Sequence, residues 1–221
     1  TLYWAHGHPK HHSNEDDGQI GCVLNSLYNR DPMSHGHINF TRCGLPIDVQ
    51  KRIGEKFWGS PDTVDAIGDY TPTNIYKMKR LQWVVARKEL HDMLGICSWT
   101  APWEVSPLRE KGYIGDIEME SKVFRAVTGI EMTQDDLDKA GLRAFILQRL
   151  YTMRQLKSRN PRQDHDQYPE WIFWDPKGKA PFTKGTIRME RSDIEKSFDL
   201  FYGLMDFDVK TGAPTEKSLK E

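Results

Sequence analysis

The chain has 221 residues, of which 38% are hydrophobic, and its 31 Lys and Arg residues nearly balance 32 Asp and Glu residues. This length accommodates one or two domains, and the balanced charge excludes the basic field typical of proteins that bind nucleic acid or anionic membranes. No apolar run approaches the roughly 20 residues of a membrane span. Because the residues that follow Thr1 suit neither a helix cap nor a strand start, we expect the chain to begin inside a longer protein.

The first part of the chain predicts two short helices separated by a break. Residues 19–29 are apolar with small side chains and predict a buried helix. A proline and a glycine then interrupt regular structure in a segment that carries His35 and His37. An amphipathic helix is expected over about residues 46–58, with the proline in its first turn.

A long helix is expected next, from an N-cap at Thr73 to Gly95. Its apolar residues recur at steps of three to five, and glycine commonly follows a helix C-terminus. The basic residues of this helix lie off the apolar stripe and predict a solvated face, which comprises Lys77, Lys79, Arg80, Arg87 and Lys88.

Further helices are expected over about residues 116–128, 134–157 and 191–205. A near capping box at residues 133–136 opens the second of them. Residues 158–189 are rich in proline and predict an ordered surface loop. The predicted core face of the 134–157 helix is Leu137, Ala140, Ala144, Leu147, Leu150 and Tyr151. No segment of useful length alternates apolar and polar residues as a strand does. The sequence therefore predicts a mainly α, multi-helix fold with long ordered loops.

Several enzyme classes are disfavoured because their motifs are absent. The sequence has no glycine-rich phosphate or dinucleotide loop, no His-Glu-x-x-His and no Gly-x-Ser-x-Gly. Cys22, Cys43 and Cys97 match no zinc motif and cannot all pair, which favours a reducing, cytoplasmic compartment. Because an all-thiolate iron–sulfur cluster takes four cysteines, the chain cannot enclose one alone. Either Cys97 is inert, or it is one ligand of a cluster completed by residues outside this chain.

The segment Asp92-Met93-Leu94-Gly95-Ile96-Cys97 resembles the Asp-x-x-Gly-Leu-Cys motif of the aldehyde ferredoxin oxidoreductase family, with Ile96 in place of the usual Leu. Three later segments, residues 124–133, 147–154 and 201–219, resemble that family's C-terminal part in the same order. Members of this family carry a tungsten or molybdenum bis-pyranopterin and a [4Fe–4S] cluster.

The resemblance implies a role for each residue of the motif. Asp92 corresponds to an acid that hydrogen-bonds a pterin ring, and Cys97 to the fourth cluster ligand. The backbone of Leu94, Gly95 and Ile96 is then expected to face the cofactor, with glycine allowing close approach. A magnesium ion is a further implied cofactor.

The family also places a histidine near the metal, upstream of this motif. The corresponding segment here contains His35 and His37, with His35 preferred, for proton transfer or a hydrogen bond at the metal. The resemblance further implies that residues 1–70 end a preceding cofactor-lining helical region and that residues 71–221 form the C-terminal helical domain.

The implied activity is oxidation of an aldehyde to a carboxylic acid, with electrons passed through the cluster to ferredoxin or an iron–sulfur subunit. The expected partners include the missing N-terminal part of the enzyme, without which this segment should be inactive, and further copies in an oligomer. Two alternatives stay open: the catalytic subunit of a tungsten-dependent aromatic-ring (benzoyl-CoA) reductase, whose substrate is an aromatic thioester, and a non-catalytic helical interaction domain.

Overall fold

A computed structural model of the chain describes residues 3–5, 8–10, 18–28, 44–66, 70–97, 103–168, 173 and 190–220. The regular structure of this part of the chain is almost entirely helical, which confirms the mainly α prediction. The only strands among the described residues form a short antiparallel hairpin that the sequence did not predict. In chain order the elements are β1 Tyr3–Ala5, β2 His8–Lys10, α1 Gly18–Leu27, α2 Ile47–Trp58, α3 Ile75–Leu94, α4 Met119–Thr128, α5 Gln134–Leu156, α6 Pro161–Asp164 and α7 Arg191–Leu204.

Helix α3 is the central element, because α1, α2, α5 and α7 all pack against it. All ten residues of α1 are buried, as its apolar composition predicted. The main core joins α1, α3, α5 and α7 through side chains that include Val23, Leu81, Phe145 and Phe201. A smaller core lies under α2, where Ile53 and Trp58 contact Val64 and the partly buried Trp83.

The start of α3 differs from the prediction by one residue. Asn74 is the N-cap, and its side chain accepts a hydrogen bond of 2.9 Å from the backbone N–H of Lys77. Thr73 instead joins α3 to α7: its N–H donates to Asp193 Oδ1 at 2.8 Å, and its hydroxyl accepts from Ser197 Oγ at 2.7 Å. Either side chain can cap a helix, so only these long-range contacts decide between them.

Helix α5 begins at the predicted capping box, with both reciprocal bonds between Thr133 and Asp136 formed. Its predicted core face is partly wrong, because Leu147 and Tyr151 are 68% and 60% exposed. The buried residues instead follow a stripe at steps of four, namely Leu137, Gly141, Phe145 and Arg149. At Gly141 this stripe meets α3 closely, since a Cβ there would lie 2.1 Å from the carbonyl oxygen of Ala86.

Candidate functional site

The segment from Asp92 to Cys97 forms the last turn of α3 and the chain that leaves it. Eight consecutive residues, from Val84 to His91, are buried, and exposure begins abruptly at Asp92. Gly95 follows the helix in the left-handed conformation, at φ 68° and ψ 24°, as the sequence predicted. The described structure therefore presents residues 92–97, named here the motif loop, at the surface from a buried helix.

Two backbone hydrogen bonds fix the turn of the motif loop. The N–H of Gly95 and the N–H of Ile96 both donate to the carbonyl oxygen of His91, the latter at 2.9 Å. A Cβ built on Gly95 would meet no atom within 4 Å, so none of the described residues covers the backbone there. This openness suits the close approach of a large flat ligand to the main chain.

Two side chains of the motif loop offer ligand chemistry. The carboxylate of Asp92 accepts from Lys88 Nζ at 2.6 Å, and 32% of its side chain remains exposed. The thiol of Cys97 is exposed and that of Cys22 is buried, and neither is in a disulfide. Cys97 is therefore the accessible thiol among the described residues, whereas Cys43 lies outside them.

The basic face predicted for α3 is not solvated. Lys77, Arg80, Arg87 and Lys88 are all buried, and only Lys79 of the predicted set is exposed. Buried charges require partners, and these are present. Lys77 pairs with Asp65, Arg80 donates to the carbonyl of Thr63 at 3.1 Å, and Lys88 pairs with Asp92. The prediction was wrong because the partners of Lys77 and Arg80 come from outside the helix, whereas Lys88 pairs with Asp92 one turn later in α3.

Arg87 anchors the largest of these ion-pair networks. Its guanidinium donates to Glu120 Oε2 at 2.7 Å and to both carboxylate oxygens of Asp138, at 2.6 and 3.1 Å. Glu120 Oε1 in turn lies 3.0 Å from His91 Nε2, the residue that precedes the motif loop. The network thus runs from α5 through α4 to the end of α3.

The electrostatics of the two carboxylates differ although both bind Arg87. Burial raises the pKa of Glu120, but the hydrogen bond from His91 and the charge of Arg87 outweigh it and hold the pKa below its ordinary value. For Asp138 burial dominates, and its pKa is raised despite the guanidinium. Glu120 is therefore a stable anion that favours an N–H of His91 directed toward it.

Glu104 is a second buried acid near this network. It is 1% exposed, and neither carboxylate oxygen has a hydrogen-bond partner among the described residues. Burial raises its pKa from 4.5 to about 7, although its own backbone N–H and the charges of Arg80 and Arg87 oppose the rise. Glu104 belongs to none of the sequence motifs, so it could not be singled out from the sequence.

The remaining site predictions are not brought together by the described structure. His35 and His37 lie outside the described residues. Sequence reasoning also missed His91 and Glu120, because an isolated histidine and an acid at a helix start carry no motif. The one available signal was the position of His91, directly before the Asp-x-x-Gly-x-Cys motif.

Within the described ranges, no group of three or more His, Cys, Asp or Glu side chains could hold a metal ion. A metal or cluster bound at Cys97 would therefore need ligands from beyond these residues. None of the helices in the described part combines the length and apolar character needed to cross a bilayer.

No solved structure matches the chain at a significant level. A family model described as "Aldehyde ferredoxin oxidoreductase, domains 2 & 3" matches residues 35–221, which is most of the chain and includes the motif loop with its supporting helices. The chain therefore belongs to the aldehyde ferredoxin oxidoreductase family.

Proposed function

We propose that this chain is the C-terminal portion of a tungsten or molybdenum pterin enzyme that oxidises aldehydes to carboxylic acids and passes the electrons through a [4Fe–4S] cluster to ferredoxin. The observation that carries the proposal is the motif loop. It presents an acid, a glycine open to close approach and an exposed thiol within six residues, at the end of a buried helix.

The residues of the motif loop fit the cofactors that the proposal requires. A pterin ring offers amino and N–H donors, which the partly exposed carboxylate of Asp92 is suited to accept. A cluster takes thiolate ligands, and the Cys97 thiol is accessible. When bound, the metal would supply the two-electron chemistry by which an aldehyde and water give a carboxylic acid, with the electrons leaving through the cluster.

Each residue of this chain then has a defined task. Asp92 orients the pterin by accepting its hydrogen bonds, while Lys88 holds the carboxylate from one turn earlier in α3. The backbone of Leu94, Gly95 and Ile96 would lie against the cofactor. Cys97 completes the cluster, with its other ligands and the magnesium ion contributed from outside the described residues.

The substrate end of the site is assigned to the histidines between α1 and α2. His35, with His37 as second choice, would hold or move the proton at the reacting carbonyl. Both lie outside the described residues, so this assignment rests on the family resemblance. The same holds for the ferredoxin partner, the remaining N-terminal part and the oligomer.

The cysteine pair Cys97 and Cys22 provides the test. In the intact protein, Cys97→Ala should remove the EPR signal of the reduced cluster and lower the bound iron, because one of four ligands is lost. Cys22→Ala is the matched control, since this thiol is buried in the core and away from the surface. It should leave the EPR signal and the iron content unchanged.

An unchanged EPR signal in Cys97→Ala would remove this residue from the ligand set. An intact protein that is fully active without iron, tungsten or molybdenum would contradict the proposed function as a whole. Loss of the signal in both variants would indicate a general folding defect instead, and would require repeating the comparison with the milder Cys97→Ser.

A further inference from the structure

His91 stands at the junction of the motif loop and the helix that carries it. Its carbonyl oxygen accepts hydrogen bonds from the N–H groups of both Gly95 and Ile96. The turn of the motif loop therefore depends on this one residue. A rotation of the His91 backbone would therefore displace both amides, and with them the Cys97 that follows.

The side chain of His91 is held on two sides. Its Nε2 lies 3.0 Å from Glu120 Oε1, and its ring packs at 5.6 Å, centroid to centroid, from Trp103. His91 and Glu120 are 1% and 2% exposed, so their contact is shielded from water. A hydrogen bond to a buried carboxylate is strong and directional, which leaves the imidazole little freedom.

The acceptor is itself fixed by two other helices. Glu120 opens α4 and receives Arg87 of α3, while Arg87 also binds the carboxylate of Asp138 in α5. The carbonyl of Ile117 takes a further bond from Arg87 at 2.7 Å. Three helices thus determine where the imidazole of His91 sits.

We propose that His91 is a positioning residue, which uses its Glu120-bound imidazole to set the orientation of the motif loop and hence of the Cys97 thiolate toward the cluster. The effect on the cluster rests on the proposed function of Cys97. Partners that orient a ligand tune the metal centre it binds, so a misoriented thiolate changes the spectrum and potential of the cluster.

The chain contains a matched control for this role. His165 is also buried, and its Nδ1 lies 2.8 Å from Asp166, a carboxylate that Arg149 binds at 3.0 Å. This second set repeats the Arg–carboxylate–His arrangement, yet it lies beside α5 and α6 and no described contact joins it to the motif loop. A purely structural histidine should behave as His165 does.

The test compares His91→Phe, His91→Gln and His165→Phe in the intact, cofactor-loaded enzyme. We expect His91→Phe to shift the midpoint potential and the EPR g-values of the cluster while the iron content is kept. His91→Gln should retain most of the wild-type spectrum, because the side-chain amide N–H of glutamine can still donate to Glu120. His165→Phe should lower the melting temperature and leave spectrum and potential unchanged.

If His91→Phe lowers only the melting temperature, as His165→Phe does, the positioning role is wrong. Should His91→Phe fail to accumulate, Glu120→Asp offers a milder variant, which withdraws the carboxylate from His91 and keeps its charge beside Arg87. A shift of potential in Glu120→Asp would support the proposal, and a wild-type potential would overturn it.

Amide hydrogen exchange tests whether His91 anchors the motif loop independently of the function proposed for Cys97. Faster exchange of the Gly95 and Ile96 amides in His91→Phe than in His165→Phe would show that His91 anchors the loop, whatever Cys97 binds. If Cys97→Ala leaves the EPR signal unchanged, the proposed role of Cys97 as a cluster ligand fails, and this exchange measurement alone decides the anchoring role. Equal exchange in both variants would overturn it.

Discussion

At the scale of single residues, burial decides the chemistry of the acidic groups around α3. Asp92 keeps a third of its side chain exposed and pairs with Lys88, so it stays available to a ligand. Glu120 is buried but paired, and its pKa is lowered once the His91 bond and the Arg87 charge outweigh burial. Glu104 is buried without a hydrogen-bond partner among the described residues, and its pKa rises to about 7.

Glu104 should make the stability of the protein depend on pH. Its pKa in the folded state, about 7, lies above the ordinary 4.5, so between these values the folded protein binds the proton more tightly. The contribution is complete below pH 4.5 and is lost as the pH rises through 7, a difference of roughly 3 kcal/mol. Denaturant unfolding at pH 5 and pH 8 should therefore show a fall in stability for the wild type.

The control for this prediction is Glu104→Gln, which has nearly the same shape and no titration. Its stability should fall less between the two pH values, so the difference between variant and wild type isolates this one group. Parallel pH profiles for the two proteins would contradict the assignment of a raised pKa to Glu104.

Asp92 should affect pterin binding more than folding. Asp92→Asn removes an acceptor and the charge that pairs with Lys88, so we expect a lower pterin content per protein with most of the iron retained. Asp48→Asn is the control, because Asp48 also forms an i,i+4 pair, with Arg52 at 3.5 Å on the exposed side of α2. Pterin and iron analysis of both variants checks this, and equal pterin content in both would argue against a pterin contact at Asp92.

At the scale of elements, the close packing of α3 against α5 supports the motif loop. Gly141 is the contact point, since a Cβ there would lie 2.1 Å from the carbonyl oxygen of Ala86. Arg87, the next residue in α3, binds Asp138 one turn earlier in α5. The helix contact and the ion-pair network are therefore adjacent, so a change in one should alter the geometry of the other.

Gly141→Ala should destabilise the protein, by about 1–3 kcal/mol, because the added methyl group forces the two helices apart. Gly203→Ala in α7 is the matched control, since a Cβ there meets nothing within 4 Å among the described contacts. That substitution should stabilise by roughly 0.5–1 kcal/mol through helix propensity. Thermal or denaturant unfolding measures both, and equal effects of the same sign would contradict the proposed helix contact.

At the scale of the whole molecule, local signals predicted the helices and long-range contacts decided the rest. The end of α3 at Gly95 and the capping box of α5 follow from residues close in sequence, and both are confirmed. The burial of Arg87 could not be predicted, because its partners Glu120 and Asp138 lie 33 and 51 residues away.

Helix α4 also shows that an apolar pattern alone does not determine which residues are buried. Val123 and Val127 share one side of the helix, yet they are 38% and 79% exposed, and the buried residue of α4 is Glu120. Pattern alone would have placed the valines inside.

For the site, the motif predicted the acid, the glycine and the thiol at the end of α3. It did not predict His91, whose carbonyl oxygen accepts the two hydrogen bonds of their turn. The division of the chain at residue 70 and the roles of His35 and His37 stay predictions.

The most direct test of the proposed site is to locate iron in the intact, cofactor-loaded enzyme by anomalous diffraction at the iron absorption edge. We expect an iron peak within bonding distance of the Sγ atom of Cys97, with the carboxylate of Asp92 at the pterin. An iron-containing enzyme in which the Cys97 thiol contacts only protein, with the cluster bound elsewhere, would contradict it.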